Sequence, residues 1–140
     1  MSDPTWVVMD LETYPGCIIA VAMIAGTEIT FTFEISRYRD DSGSLYTFLC
    51  WMRDNNAVAC GFNFVNFDGP IIHLFMKMNG KASADTLYDK AMAIIKAQDD
   101  DKFAHQVYPS DRDFRWCCLY KINHYDNRAK TTSLKHLNSR

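Results

Sequence analysis

Apolar positions follow two different periods along the chain, and their order predicts an α/β fold. Thr5 to Leu11 is a nearly unbroken apolar run of a length that fits a strand buried on both faces. Cys17 to Ile24 is a second run, Ala25-Gly26-Thr27 supplies a turn, and Ile29-Thr30-Phe31-Thr32-Phe33-Glu34-Ile35 alternates as a half-exposed strand does. Short links join the three, so an antiparallel meander is expected. After the polar break Asp40-Asp41-Ser42-Gly43-Ser44, which offers helix caps, Leu45, Phe48, Leu49 and Met52 recur at helical spacing until Asn55-Asn56. Ala57-Val58-Ala59-Cys60-Gly61 is then a short buried strand, and the order strand, helix, strand implies a crossover to a parallel neighbour.

Beyond Pro70, Ile71, Ile72, Leu74, Phe75 and Met76 predict a helix that stops near Asn79-Gly80. A second helix is expected over about residues 84–97, with Leu87, Ala91, Ile94 and Ile95 on one face. Asp99-Asp100-Asp101 and the turn Tyr108-Pro109-Ser110-Asp111 make a solvated linker, Trp116-Cys117-Cys118-Leu119-Tyr120 a fifth strand, and Thr131 or Thr132 caps a last helix through Leu137. The expectation is one domain spanning residues 1–140, with a mixed five-stranded sheet flanked by helices.

Composition narrows the class. With 48% apolar and 14% aromatic residues the chain suits a packed core, and no apolar run approaches the roughly 18 residues of a membrane span. No basic stretch followed by an apolar one opens the sequence, so no signal peptide is expected and the location is read as cytoplasmic. Five cysteines (Cys17, Cys50, Cys60, Cys117, Cys118) without Cys-x-x-Cys spacing fit buried thiols, and the scattered His73, His105, His124 and His136 argue against zinc. Lys121, Arg128, Lys130, Lys135 and Arg140 face Asp126 alone in the last twenty residues, a basic end on an acidic body. That end is compatible with phosphate contact or with a solvated tail.

Two short stretches carry candidate chemistry. In Val7-Val8-Met9-Asp10-Leu11-Glu12-Thr13, a strand that continues through the acids sends Asp10 and Glu12 to one side. In Asn63-Phe64-Val65-Asn66-Phe67-Asp68-Gly69-Pro70, Asp68 ends a turn-forming segment just after a buried strand, where loops place functional groups. Three acids that meet could hold a pair of Mg²⁺ or Mn²⁺ ions, the arrangement that hydrolyses phosphodiesters. Asp68 could equally cap the helix that begins at Pro70.

Asp10-Leu11-Glu12-Thr13 resembles the first motif of the DEDD 3′–5′ exonucleases, the DnaQ-like and B-family polymerase proofreading group, and Asn63-x-x-x-Phe67-Asp68 resembles the second. The likeness covers most of the chain and implies a ribonuclease-H-like fold. It implies that Asp10, Glu12 and Asp68 are metal ligands and catalytic, and that Thr13, Asn63 and Phe67 contact single-stranded DNA or RNA. Thr13 as a strand-end polar residue, Asn63 as a turn former and Phe67 as core are the plainer readings of the same positions.

The family's third motif, Tyr-x-x-x-Asp or His-x-x-x-Asp, does not occur after Asp68, although the stretch from Lys121 to Lys135 looks like the one that precedes it in phage members. The chain is therefore expected to be a phage-type member, acting in a host cytoplasm if phage-encoded and C-terminally truncated relative to its relatives, with Asp126 as the only acid beyond Asp113. Three readings follow: a weak metal-dependent exonuclease completed by another chain, a degenerate homologue that binds a host protein or nucleic acid as an inhibitor, and a marginally folded fragment. In the second, the uncovered C-terminal groove meets a partner or a second copy.

Overall fold

The computed structural model describes residues 3–101 and 103–119. Asp126, the basic segment from Lys121 and the helix expected from Thr131 or Thr132 lie outside the described residues. Strands β1 (Thr5–Tyr14), β2 (Cys17–Ile24) and β3 (Thr30–Ser36) pair antiparallel in chain order, the meander that the apolar runs predict. Helix α1 (Ser42–Asp54) crosses to β4 (Ala57–Gly61), which lies parallel to β1. A π-helical turn (Phe64–Asp68), α2 (Gly69–Lys77) and α3 (Ala84–Asp100) follow, and β5 (Arg115–Cys118) adds parallel to β4. The sheet order is β3-β2-β1-β4-β5, a five-stranded mixed sheet in an α/β fold.

The core lies on one side of this sheet. Val7, Met9 and Leu11 of β1 and Ile18, Ala20 and Ala22 of β2 meet Leu45 and Leu49 of α1, Ile72 and Phe75 of α2, and Leu87 and Ala91 of α3 in one cluster. Each large aliphatic or aromatic side chain buried there stabilises by about 1.5–3 kcal/mol. No helix among the described residues is long and apolar enough to cross a membrane.

Three local expectations are corrected. β1 is not buried on both faces: it runs on to Tyr14 and alternates, with Val7, Met9 and Leu11 buried and Trp6, Asp10, Glu12 and Tyr14 exposed. The run looks doubly apolar because Trp6 and Val8 share a face with the two carboxylates, which make that face amphipathic. Ile95 leaves the core stripe of α3 and is exposed, since one residue turns a helix by about 100° from Ile94. Asp99 and Asp100 belong to α3 rather than to a loop, because extending a formed helix adds a hydrogen bond per residue, here closed by the Asp101 N–H donating to Ala97 O at 2.7 Å. The start of α3 is capped by Ser83, whose hydroxyl accepts from the Thr86 N–H at 3.1 Å.

Two glycines fix the segment between β4 and α2. A Cβ on Gly61 would stand 2.5 Å from the Met9 carbonyl oxygen, and one on Gly69 would stand 2.7 Å from the Trp116 ring and 2.9 Å from Phe64 O. Gly69→Ala is expected to destabilise the protein by about 1–3 kcal/mol, the usual cost of overpacking. A thermal melt unchanged from wild type would show that the Trp116 ring gives way freely and would refute this.

Candidate functional site

The site grows from a mismatch in strand length. β4 pairs with β1 only as far as Val8↔Cys60, whereas β1 continues to Tyr14. After Gly61 the chain turns away. Asn63 takes the left-handed conformation (φ 53, ψ 31), in which Asn is favoured among non-glycine residues, and its carbonyl accepts from the Phe67 N–H at 3.0 Å. This turn delivers the Asp68 carboxylate back to β1, where Oδ2 accepts the Leu11 N–H at 3.3 Å. A side chain thus stands where β4, had it continued, would have offered a carbonyl. Asp68 does not cap α2: its own backbone is already helical (φ −62, ψ −42) and its side chain makes no cap hydrogen bond.

Asp10 and Glu12 bracket Leu11, opposite Val21 and Ile19 of β2, and both are exposed on the same face of β1. Asp68 itself is only 5% exposed. Burial above all, then repulsion from Asp10, pushes the Asp68 carboxyl up to about 8 against the lowering effect of the Leu11 N–H, and Glu12 adds the least. Asp10 is raised too, first by burial and then by Glu12. These three acids sense one another because they stand together outside the end of β4, beside β1. Crevices at the carboxyl ends of parallel strands are where open α/β sheets bind ligands.

The donor set suits a hard divalent cation in its chemistry, being three carboxylates whose mutual repulsion such a cation would relieve. Its side-chain arrangement is not one of ligation: among the described residues no group of three His, Cys, Asp or Glu side chains could hold a metal ion. Glu12 Oε2 instead accepts from the Tyr14 hydroxyl at 2.8 Å, and Asp68 Oδ2 is turned to Leu11. The hydrogen bond to Glu12 is the leading cause of the raised Tyr14 pKa.

The other expected site residues are placed less uniformly. Thr13 is half-buried near the end of β1, opposite Ile18, one residue beyond Glu12. Asn63 is exposed, and its Oδ1 accepts from Asn66 Nδ2 at 3.3 Å, so it both shapes the turn and faces outward. Phe67 is half-buried against the core, in agreement with the plainer reading of that position. Sequence reasoning misses Tyr14, although its signal is present, since residue i+2 of a strand shares the face of Glu12. The buried thiols Cys60 and Cys118 serve the fold: Cys60 Sγ donates to Val7 O at 3.6 Å, Cys118 Sγ accepts from the Val65 N–H at 3.2 Å, and burial pushes the Cys60 thiol up to about 11.

No family model, no curated protein and no solved structure matches this chain.

Proposed function

We propose that the protein is a 3′–5′ exonuclease-like phosphodiester hydrolase that acts on ends of single-stranded DNA, with Asp10, Glu12 and Asp68 as the ligands of Mg²⁺ or Mn²⁺. The observation that carries this reading is the convergence of one buried and two exposed carboxylates at the mouth between β1 and β4. Metal bound there would supply Lewis-acid stabilisation of charge on the phosphate and on the leaving oxygen. The chain's own residues hold the carboxylates nearby: the Leu11 N–H keeps Asp68 beside β1 and the Tyr14 hydroxyl keeps Glu12 there, both side chains would turn from these partners to meet a shared cation, and exposed Asn63 is available to the strand.

Mn²⁺ is expected to raise the melting temperature. A ligand bound only by the folded state at a hundred times its dissociation constant stabilises by about 2.7 kcal/mol. With an unfolding entropy of about 2.1 cal/mol/K per residue, that corresponds to a rise of roughly 9 °C for this chain. An Asp10→Ala variant should lose most of the rise, and a wild-type melt indifferent to millimolar Mn²⁺ would reject the metal assignment.

A second reading, a binding protein on the same scaffold that blocks a host protein or nucleic acid, is favoured by one observation: Glu12 and Asp68 are engaged with Tyr14 and Leu11 rather than set around a cation. The Mn²⁺ melt separates the two, because only the first requires the carboxylates to take up metal.

A further inference from the structure

β1 ends in a tight hairpin. Tyr14 pairs with Cys17 of β2, and the two residues between them are Pro15 and Gly16, the latter in the left-handed region at φ 72. Proline holds φ at about −65°, and glycine takes the positive φ that other residues avoid, so the link between the strands is stiff. The Tyr14 backbone is thereby fixed in the sheet. Its side chain shares the exposed face of Asp10 and Glu12, because residues two apart along a strand lie on one side.

Along that face Asp10, Glu12 and Tyr14 follow one another at about 6.8 Å, twice the rise per residue of an antiparallel strand. Glu12 stands in the middle. To one side lies Asp10, with Asp68 meeting β1 at Leu11; to the other lies Tyr14, whose hydroxyl donates to Glu12 Oε2 at 2.8 Å. This bond draws the Glu12 carboxylate toward the hairpin and away from the other two acids. Among the described residues the three carboxylates accordingly do not form a metal-holding group, although Asp68 lies within electrostatic reach of both others.

The holds on Asp68 and Glu12 differ in kind. The Leu11 N–H is a backbone donor beyond the end of the β1–β4 pairing, and it needs a new partner if Asp68 turns away. Tyr14 is 50% exposed, so its hydroxyl passes to water when Glu12 leaves. We propose that Tyr14 is a latch on the site: its hydroxyl competes with a divalent cation for the Glu12 carboxylate, and Glu12 joins Asp10 and Asp68 as a ligand only on leaving Tyr14. The inference rests on the reading of the three acids as metal ligands, and it adds a residue that weakens the site. A tyrosine that instead oriented Glu12 for ligation would act with the opposite sign, since groups that hydrogen-bond a metal's ligands in place strengthen binding.

The test is titration of Mn²⁺ into the metal-free protein, with the free ion followed by electron paramagnetic resonance, for wild type, Tyr14→Phe, Glu12→Ala and the double variant. Both positions are exposed and Tyr14→Phe keeps the ring, so all four proteins are expected to melt alike in chelator. Tyr14→Phe should bind Mn²⁺ about two- to ten-fold more tightly than wild type, the range for releasing one hydrogen bond. In the Glu12→Ala background the same substitution should change nothing. Binding by Tyr14→Phe that equals wild type or is weaker overturns the latch and leaves the metal reading standing, as does an equal tightening with and without Glu12. Failure of wild type and Tyr14→Phe alike to bind Mn²⁺ overturns both.

Discussion

Asp10→Ala and Asp68→Asn are each expected to reduce Mn²⁺-dependent shortening of a 5′-labelled single-stranded DNA by at least about 100-fold. Even groups that only orient a metal's ligands contribute about 10–100-fold to affinity or activity, and a ligand itself contributes more. Asp68→Asn is the more informative change, because the amide oxygen can still accept the Leu11 N–H at the position of Oδ2. The turn is then kept and the charge alone is lost. Thr13→Ala, which leaves all three acids in place, should cost less than either. Equal rates in wild type and both acid variants, with Mn²⁺ or with chelator, would sink the catalytic assignment.

The same substitution should act in the opposite direction on stability when no metal is present. Asp68 titrates near 3.8 in an ordinary setting and at about 8 when folded, so the folded state holds its proton more tightly than the unfolded state does. Its contribution is therefore full below pH 4, declines as pH rises through the window from about 4 to 8, and is gone above it. Asp10, also raised, adds to the decline with the same sign. Every tenfold by which folding tightens the hold on a proton is worth about 1.4 kcal/mol, and allowing for relaxation around the ionised group the penalty at pH 8 is on the order of 3 kcal/mol. Denaturant melts of the metal-free proteins should show Asp68→Asn about as stable as wild type at pH 4 and clearly more stable at pH 8. A difference that stays constant across this range would mean that Asp68 is solvated in the native protein. Mn²⁺ should reverse the order at pH 8, because a cation favours the ionised form.

Much of this is legible in the residues. Runs separated by Gly26 and by Asn55-Asn56 mark the meander, α1 and β4, because hydrophobic period and turn chemistry agree there. The two acids of β1 and the acid before Gly69-Pro70 are legible as a trio through their place at the ends of apolar runs. What the sequence hides depends on contacts between distant segments. That Asp68 hydrogen-bonds Leu11 instead of capping α2 follows from the pairing of β4 with β1 stopping well short of Glu12, and no local pattern records the relative lengths of paired strands. The π-helical geometry of Phe64–Asp68 is hidden for a related reason: it depends on the room left by Gly61 against Met9 and by Gly69 against Trp116. The cleft that Asn63, Asn66, Gln98 and Gln106 line is invisible because Gln98 and Gln106 look like ordinary solvent-facing residues until α3 is laid beside the turn.

The hydrogen bond between Asp68 and Leu11 spans 57 positions of the chain, whereas the meander joins residues no further apart than Cys17 and Ser36. Closing a loop costs entropy that grows with the logarithm of its length, about 0.6 kcal/mol for each doubling. Hairpins are therefore cheap to form early, and the acid trio comes together only once β4 has docked beside β1. The proposed chemistry is thus tied to a long-range closure: a chain that has merely collapsed around its first three strands owns two of the acids and lacks the third.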